Sequence, residues 1–143
     1  MRTKSIARTL AGVATLTFSV AHGQEPTPPE YLLHRGDPVQ KAYSSALLGM
    51  QFESKCHVLN AERSSHFDAA FRRATELFQG YVLAMRFVAD PAHALEFPRE
   101  MATGARHFVD AAVCDAKARS RIEEGYEQAS AVETTIRKMS ASD

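Results

Sequence analysis

From Phe67 onward the apolar residues Phe67, Phe71, Ala74, Leu77, Phe78, Tyr81, Met85 and Val88 recur at steps of three and four. That period lays all eight along one stripe of an α-helix and does not fit the two-residue alternation of a half-buried strand. The opposite face carries Asp68, Arg72 and Glu76 at steps of four, the spacing of solvated ion pairs worth about 0.2–0.5 kcal/mol each. Gly80 is a mild weakness inside this helix, because glycine loses more backbone freedom than other residues on becoming helical. A stripe of this kind must be covered by other elements, and the rest of the chain offers helices to cover it.

The covering helices are announced by local signals. Asp37-Pro38 sets a side-chain acceptor before a proline whose missing N–H costs nothing at the first helical position. Behind it Val39, Ala42, Ala46, Leu47, Met50, Cys56 and Leu59 follow helical spacing, predicting a first helix over 38–59, with Asn60 ending it and capping the next. Asp90-Pro91 repeats the signal, but Pro98 follows closely, so 90–97 is expected to form at most a short turn before a third helix over 98–113. Met101, Ala105, Phe108, Val109 and Ala112 would face inward on it. Asp115 is a plausible cap for a fourth helix from 116 to about 138, with Ile122, Tyr126, Ala129, Val132 and Ile136 inward. The apolar register does not clearly break at Cys114-Asp115, and a break is preferred there over one continuous rod. The expected fold class is all-α: a small up-down bundle of three to four helices with one disulfide, occupying 38–139 as a single domain.

The ends of the chain speak to location. Arg2, Lys4 and Arg8 precede an uncharged apolar run from Thr9 to Val20, the layout of a signal peptide and too short for the roughly 20 residues of a spanning helix. Small residues allow cleavage after Ala21 or after Gly23; the second is preferred, making 1–23 the signal peptide and Gln24 the first mature residue. No cysteine at the junction suggests lipidation. Residues 24–37 are rich in breakers and are expected to form a flexible arm, with Tyr31, Leu32 and Leu33 able to tack it onto the domain. Cleavage would remove three of the 17 basic residues and none of the 17 acidic ones, leaving 14 against 17. That mildly acidic balance disfavours nucleic acid and anionic lipid as partners. No membrane span remains after cleavage. The two cysteines, Cys56 and Cys114, would be joined in an oxidising compartment, with a reactive or metal-bound thiol pair as the competing reading.

Motifs for chemistry are sparse. Five histidines follow the leader: His34, His57, His66, His93 and His107. Glu53 with His57 and Glu62 with His66 stand four apart on helices, a spacing that arises readily by chance, and the carboxylate-x-x-His pairs of a di-iron bundle are missing. His57, His66 and His107 are the candidate contacts for a ligand or a metal of unknown identity. Cys56-His57 lacks the first cysteine of a haem-attachment motif. Met50, Met85 and Met101 read as core fillers and Met139 as lying beyond the core. Ser64-Ser65 before His66 would point away from it on a helix, and Glu123, Glu124 and Glu127 near Arg119 and Arg121 read as a solvated face. Nucleophile elbows, phosphate-binding glycine loops and His-Glu-x-x-His are missing. No catalytic residue and no cofactor are expected.

The stretch Cys56-His57-Val58-Leu59-Asn60-Ala61-Glu62, with Cys114-Asp115 and the helix running on through Ala129, resembles small exported helical proteins of proteobacteria with two cysteines. The resemblance covers most of the mature chain and implies location and fold only. Cys56, Cys114 and the charged helix after Cys114 are more distantly similar to acid-stress periplasmic chaperones, from which the helix lengths and the long arm depart. The expectation is therefore a periplasmic or secreted, non-enzymatic protein that meets an unknown protein partner, associates with itself or buffers envelope stress. At low pH its histidines and carboxylates take up protons, and self-repulsion would expose apolar helix faces. The alternative is a small-ligand or metal carrier. Tyr31, Phe87 and Phe97 are left as uncommitted aromatics that make pairing with a second copy conceivable.

Overall fold

A computed structural model describes residues 37–84 and 91–142, with the side chains of Pro91, His93, Ala94 and Leu95 left out. The expected signal peptide, the expected arm before Asp37, Met85, Phe87, Val88 and the expected Asp90 cap lie outside the described residues. Four helices follow in order: α1 (Pro38–Cys56), α2 (Ala61–Ala84), α3 (Pro91–Ala111) and α4 (Ala116–Ser140). No strand occurs among the described residues, and the chain is a small all-α bundle closed by one disulfide.

Local chemistry sets most of the helix ends. Asp37 Oδ1 accepts from Gln40 N at 2.7 Å, Asn60 Oδ1 from Arg63 N at 2.9 Å and Asp115 Oδ1 from Ala118 N at 3.0 Å. Each side chain satisfies an N–H that the first helical turn leaves without a partner. The break between the third and fourth helices is thus real. α1, however, stops three residues before the expected Leu59. The Glu53 carboxylate takes the N–H groups of Val58 at 2.9 Å and Leu59 at 3.1 Å, which a continuing helix would have given to the carbonyls of Ser54 and Lys55. His57 turns left-handed, φ 49°, and its N–H closes the helix on the Glu53 carbonyl.

The start of α3 is the larger correction. The helix begins at Pro91 and carries Pro98 in its interior, where the sequence predicts a boundary. Pro98 forgoes a hydrogen bond one turn back, but its ring is buried and Phe97 beside it packs on the core, its ring 6.2 Å from that of Phe78. Tertiary packing thus overrides the break, and Phe97 is not an uncommitted aromatic.

The helices alternate in direction. The start of α1 meets the end of α2 through Asp37 and Tyr81, the end of α1 meets the α3–α4 link through Cys56 and Cys114, and Tyr81 reaches Met139 near the end of α4. α1 and α2 each lie against the other three helices, whereas the backbones of α3 and α4 make no close approach among the described residues and meet through the Arg121 guanidinium, 5.9 Å from the centre of the Phe108 ring. The chain neighbours α3 and α4 therefore lie on opposite sides of the α1–α2 pair.

This placement explains a core wider than one stripe. Val39, Ala42, Tyr43, Ala46, Leu47, Leu48 and Phe52 of α1 are all buried, as expected of a helix covered on several sides. Tyr43, Leu48 and Phe52 exceed the single face expected from spacing. Tyr43 stacks on Phe78 with ring centres 4.1 Å apart and bonds Thr75 Oγ1 at 3.2 Å, while Phe52 meets Phe108 edge-on. Met139, placed beyond the core by its spacing, packs against it. Ser44 is 1 % exposed, and its hydroxyl has no hydrogen-bond partner among the described residues.

The closest helix approach is between α1 and α4. A Cβ added at Gly125 would lie 2.7 Å from Gly49 Cα and 2.8 Å from the Ser45 carbonyl oxygen. Only glycine at both positions lets the two backbones meet so closely.

Candidate functional site

The end of the bundle at the α1–α2 turn carries the bridge. Cys56 and Cys114 have Cα atoms 5.6 Å apart and close a loop of sequence separation 58, within the ordinary reach of a disulfide. Beside it Lys55 Nζ donates to the carbonyls of Val109 at 2.9 Å and Asp110 at 3.1 Å, and to that of Ala112. α3 has no basic residue in its own last turn, so α1 supplies the positive charge that the carbonyl end of α3 favours. Glu53, 4 % exposed, is committed to the backbone of the turn.

An open cleft of about 460 Å³ lies on this turn, with Met50, Ser54, His57, Ser64, Ser65 and Asp68 among its walls. His57 is exposed there. Ser64 and Ser65 face this cleft, whereas His66 turns towards α4, as the helical spacing predicts.

The seam between α2 and α4 is built from pairs 60 residues apart, as two parallel helices require. His66 Nδ1 lies 2.9 Å from Tyr126 Oη, and Arg63 makes a two-pronged pair with Glu123, at 3.1 and 2.6 Å. The Arg63 guanidinium also sits 4.7 Å from the centre of the Tyr126 ring, and Phe67 packs edge-on against that ring. The Arg63 hydrogen bonds hold the Glu123 carboxyl below its ordinary range. Glu123 is therefore tied to α2, and Glu124 accepts from Ser45 Oγ at 3.2 Å; the acidic face read from the sequence is partly a helix–helix seam.

At the opposite end an apolar groove of about 440 Å³ runs between the last turns of α2 and α4, walled by Leu77, Gly80, Tyr81, Ala84, Ile136 and Met139. Tyr81 Oη donates to Asp37 Oδ2 at 2.5 Å and lies 3.8 Å from Met139 Sδ. Burial, reinforced by the Asp37 carboxylate, raises the Tyr81 hydroxyl pKa well above its ordinary value. Sequence reasoning did not find this groove; its only local trace was Gly80.

The three candidate histidines are thus dispersed. His57 lies at the end of α1, His66 is paired with Tyr126 on the α2–α4 seam, and His107 is exposed on α3. Among the described residues no three histidine, cysteine or carboxylate side chains gather where a metal ion would be held. No described helix is long and apolar enough to cross a membrane. No family model, curated protein or solved structure matches the chain.

Proposed function

We propose that this is an exported protein of the periplasm or the extracellular space that acts by non-covalent association, in the manner of an interaction or envelope-stress protein, rather than by catalysis. The observation that carries the reading is the Cys56–Cys114 bridge, which ties the end of α1 to the α3–α4 link. Such a bridge persists in oxidising compartments, and the signal-peptide layout before Gln24 agrees with it. The non-catalytic part is supported by how the chemically capable side chains are used. Glu53 holds two backbone N–H groups, Glu123 holds Arg63, His66 meets Tyr126 and Asp37 both caps α1 and accepts from Tyr81.

The test is the intact mass of the protein recovered from the periplasm, under native and then denaturing conditions, with and without reductant. A chain starting at Gln24 that gains the hydrogens of one opened disulfide supports export. A chain retaining residues 1–23, or carrying free thiols, overturns it. Reproducible turnover abolished by one point mutation would overturn the non-catalytic reading, and failure to suppress aggregation of a test protein at low pH would overturn its acid-stress form.

A second reading, a carrier of a small ligand, is favoured by the cleft at His57. It predicts a retained adduct in the native mass spectrum that His57→Ala releases.

A further inference from the structure

We propose that the apolar groove between the C-terminal ends of α2 and α4 is the docking site for the chain's own segment Tyr31-Leu32-Leu33. The groove has apolar walls in Leu77, Ala84, Ile136 and Met139, and Leu83 next to Ala84 is 50 % exposed. Gly80 leaves room in it: a Cβ there would meet nothing within 4 Å. Water in such a groove is displaced favourably by apolar side chains.

The occupant follows from where the described chain begins. Asp37 is its first residue, and the Asp37 carboxylate is bonded to Tyr81 of the groove wall. The chain before Asp37 is therefore tethered beside the groove. Leu33 stands four residues before Asp37 and Tyr31 six, an extended reach of about 14 and 20 Å. Leu77 to Ala84 spans seven helical steps, about 10 Å, the length of about three extended residues. Between Gln24 and Asp37 the only run of large apolar residues is Tyr31-Leu32-Leu33; the rest is Gln-Glu-Pro-Thr-Pro-Pro-Glu and His34-Arg35-Gly36. Charge agrees with the same placement. α2 carries no basic residue in its last turn, and a segment docked this way brings Arg35 to a carbonyl end that favours a cation.

The docked segment straps the start of α1 across the open end of the bundle. It does so whether the protein's role is association or ligand carriage, so the proposal stands apart from the function proposed above.

The experiment compares three oxidised proteins, each starting at Gln24: the parent, the triple variant Tyr31→Ser/Leu32→Ser/Leu33→Ser, and Gly80→Leu, which fills the groove from its own floor. Trypsin is added under native conditions and cleavage after Arg35 is followed by mass. Docking holds that bond out of reach, so cleavage is expected to be about tenfold faster in both variants, with helicity unchanged. Methyl-selective NMR on the parent should show Leu32 and Leu33 methyls close to those of Ile136 and Met139. Equal cleavage rates in all three proteins would overturn the proposal. So would contacts from Ile136 and Met139 that run to Phe87, or to a second copy in a mixed-label sample, in place of Leu32 and Leu33.

Discussion

Replacing Gly125 by alanine tests the tightest point of the fold. The added methyl carbon would sit 2.7 Å from Gly49 Cα and 2.8 Å from the Ser45 carbonyl oxygen, against a comfortable separation of about 3.5–4.0 Å between carbons. Both obstacles are backbone atoms, so no rotamer change relieves them, and α1 and α4 must part by about 1 Å. Overpacking of this kind costs about 1–3 kcal/mol, while alanine in place of glycine returns about 1 kcal/mol of helix propensity. The expected net loss is about 0–2 kcal/mol. Gly49→Ala meets the Arg121 carbonyl oxygen and Gly125 Cα, both at 2.7 Å, and should lose a similar amount. The double variant should lose less than the sum, because a seam opened for one methyl accommodates the other. Gly80→Ala provides the contrast: its Cβ meets nothing within 4 Å, so it should gain about 0.5–1 kcal/mol. Urea midpoints followed by far-ultraviolet circular dichroism, with the disulfide intact, measure all four. If Gly125→Ala is stabilised as much as Gly80→Ala is, the close approach of α1 and α4 is refuted.

Three further outcomes follow from the same geometry. Cys56→Ser/Cys114→Ser should lower stability by up to about 4 kcal/mol, the chain-entropy value for a loop of this length, read from the shift in urea midpoint; an unchanged midpoint would show that the bridge adds nothing. Tyr81→Phe removes the hydroxyl that binds Asp37 and should cost about 1.5–3 kcal/mol, as hydrogen bonds to charged groups do. Because the folded protein raises the Tyr81 pKa above 10.0, this contribution is complete below that pH and is lost as pH rises above it, so the variant should lose less stability than the parent between pH 9 and 11. At the acid end, Arg63 depresses the Glu123 pKa below 4.5. That pair therefore favours folding above this value and is lost as pH falls through the lower folded one. Glu123→Gln should flatten the decline in urea midpoint below pH 5, slightly, since both partners are over one-third exposed.

The features legible in the sequence are those decided within a few residues. Asp37, Asn60 and Asp115 cap helices as read, because an N-cap joins a side chain to a backbone N–H in the following turn. The stripe on α2 buries Phe67, Ala74, Phe78 and Tyr81 for the same local reason. The bridge was legible because two cysteines allow a single pairing. Pro98 misled because its local rule is real but outweighed by burial and the packing of Phe97. The end of α1 misled because Glu53 offers the backbone an alternative to helical bonding, which an apolar pattern does not display.

Of the candidate site, the sequence supplied individual residues without their arrangement. It named His57, His66 and His107 but not their dispersal over a helix end, the α2–α4 seam and the outer face of α3. Tyr126 as the partner of His66, and Glu123 as the partner of Arg63, lie 60 residues away in sequence, beyond any local pattern. The sequence alone determined that the chain is helical, where most helices are capped and which cysteines pair, since propensity, capping and a unique pairing need no knowledge of neighbours. Only the tertiary structure decided that α1 is buried on several faces, that Gly49 meets Gly125, and that a groove opens between α2 and α4 beside Asp37. Those follow from which helices lie against one another, and that choice is made by side-chain packing across the whole core.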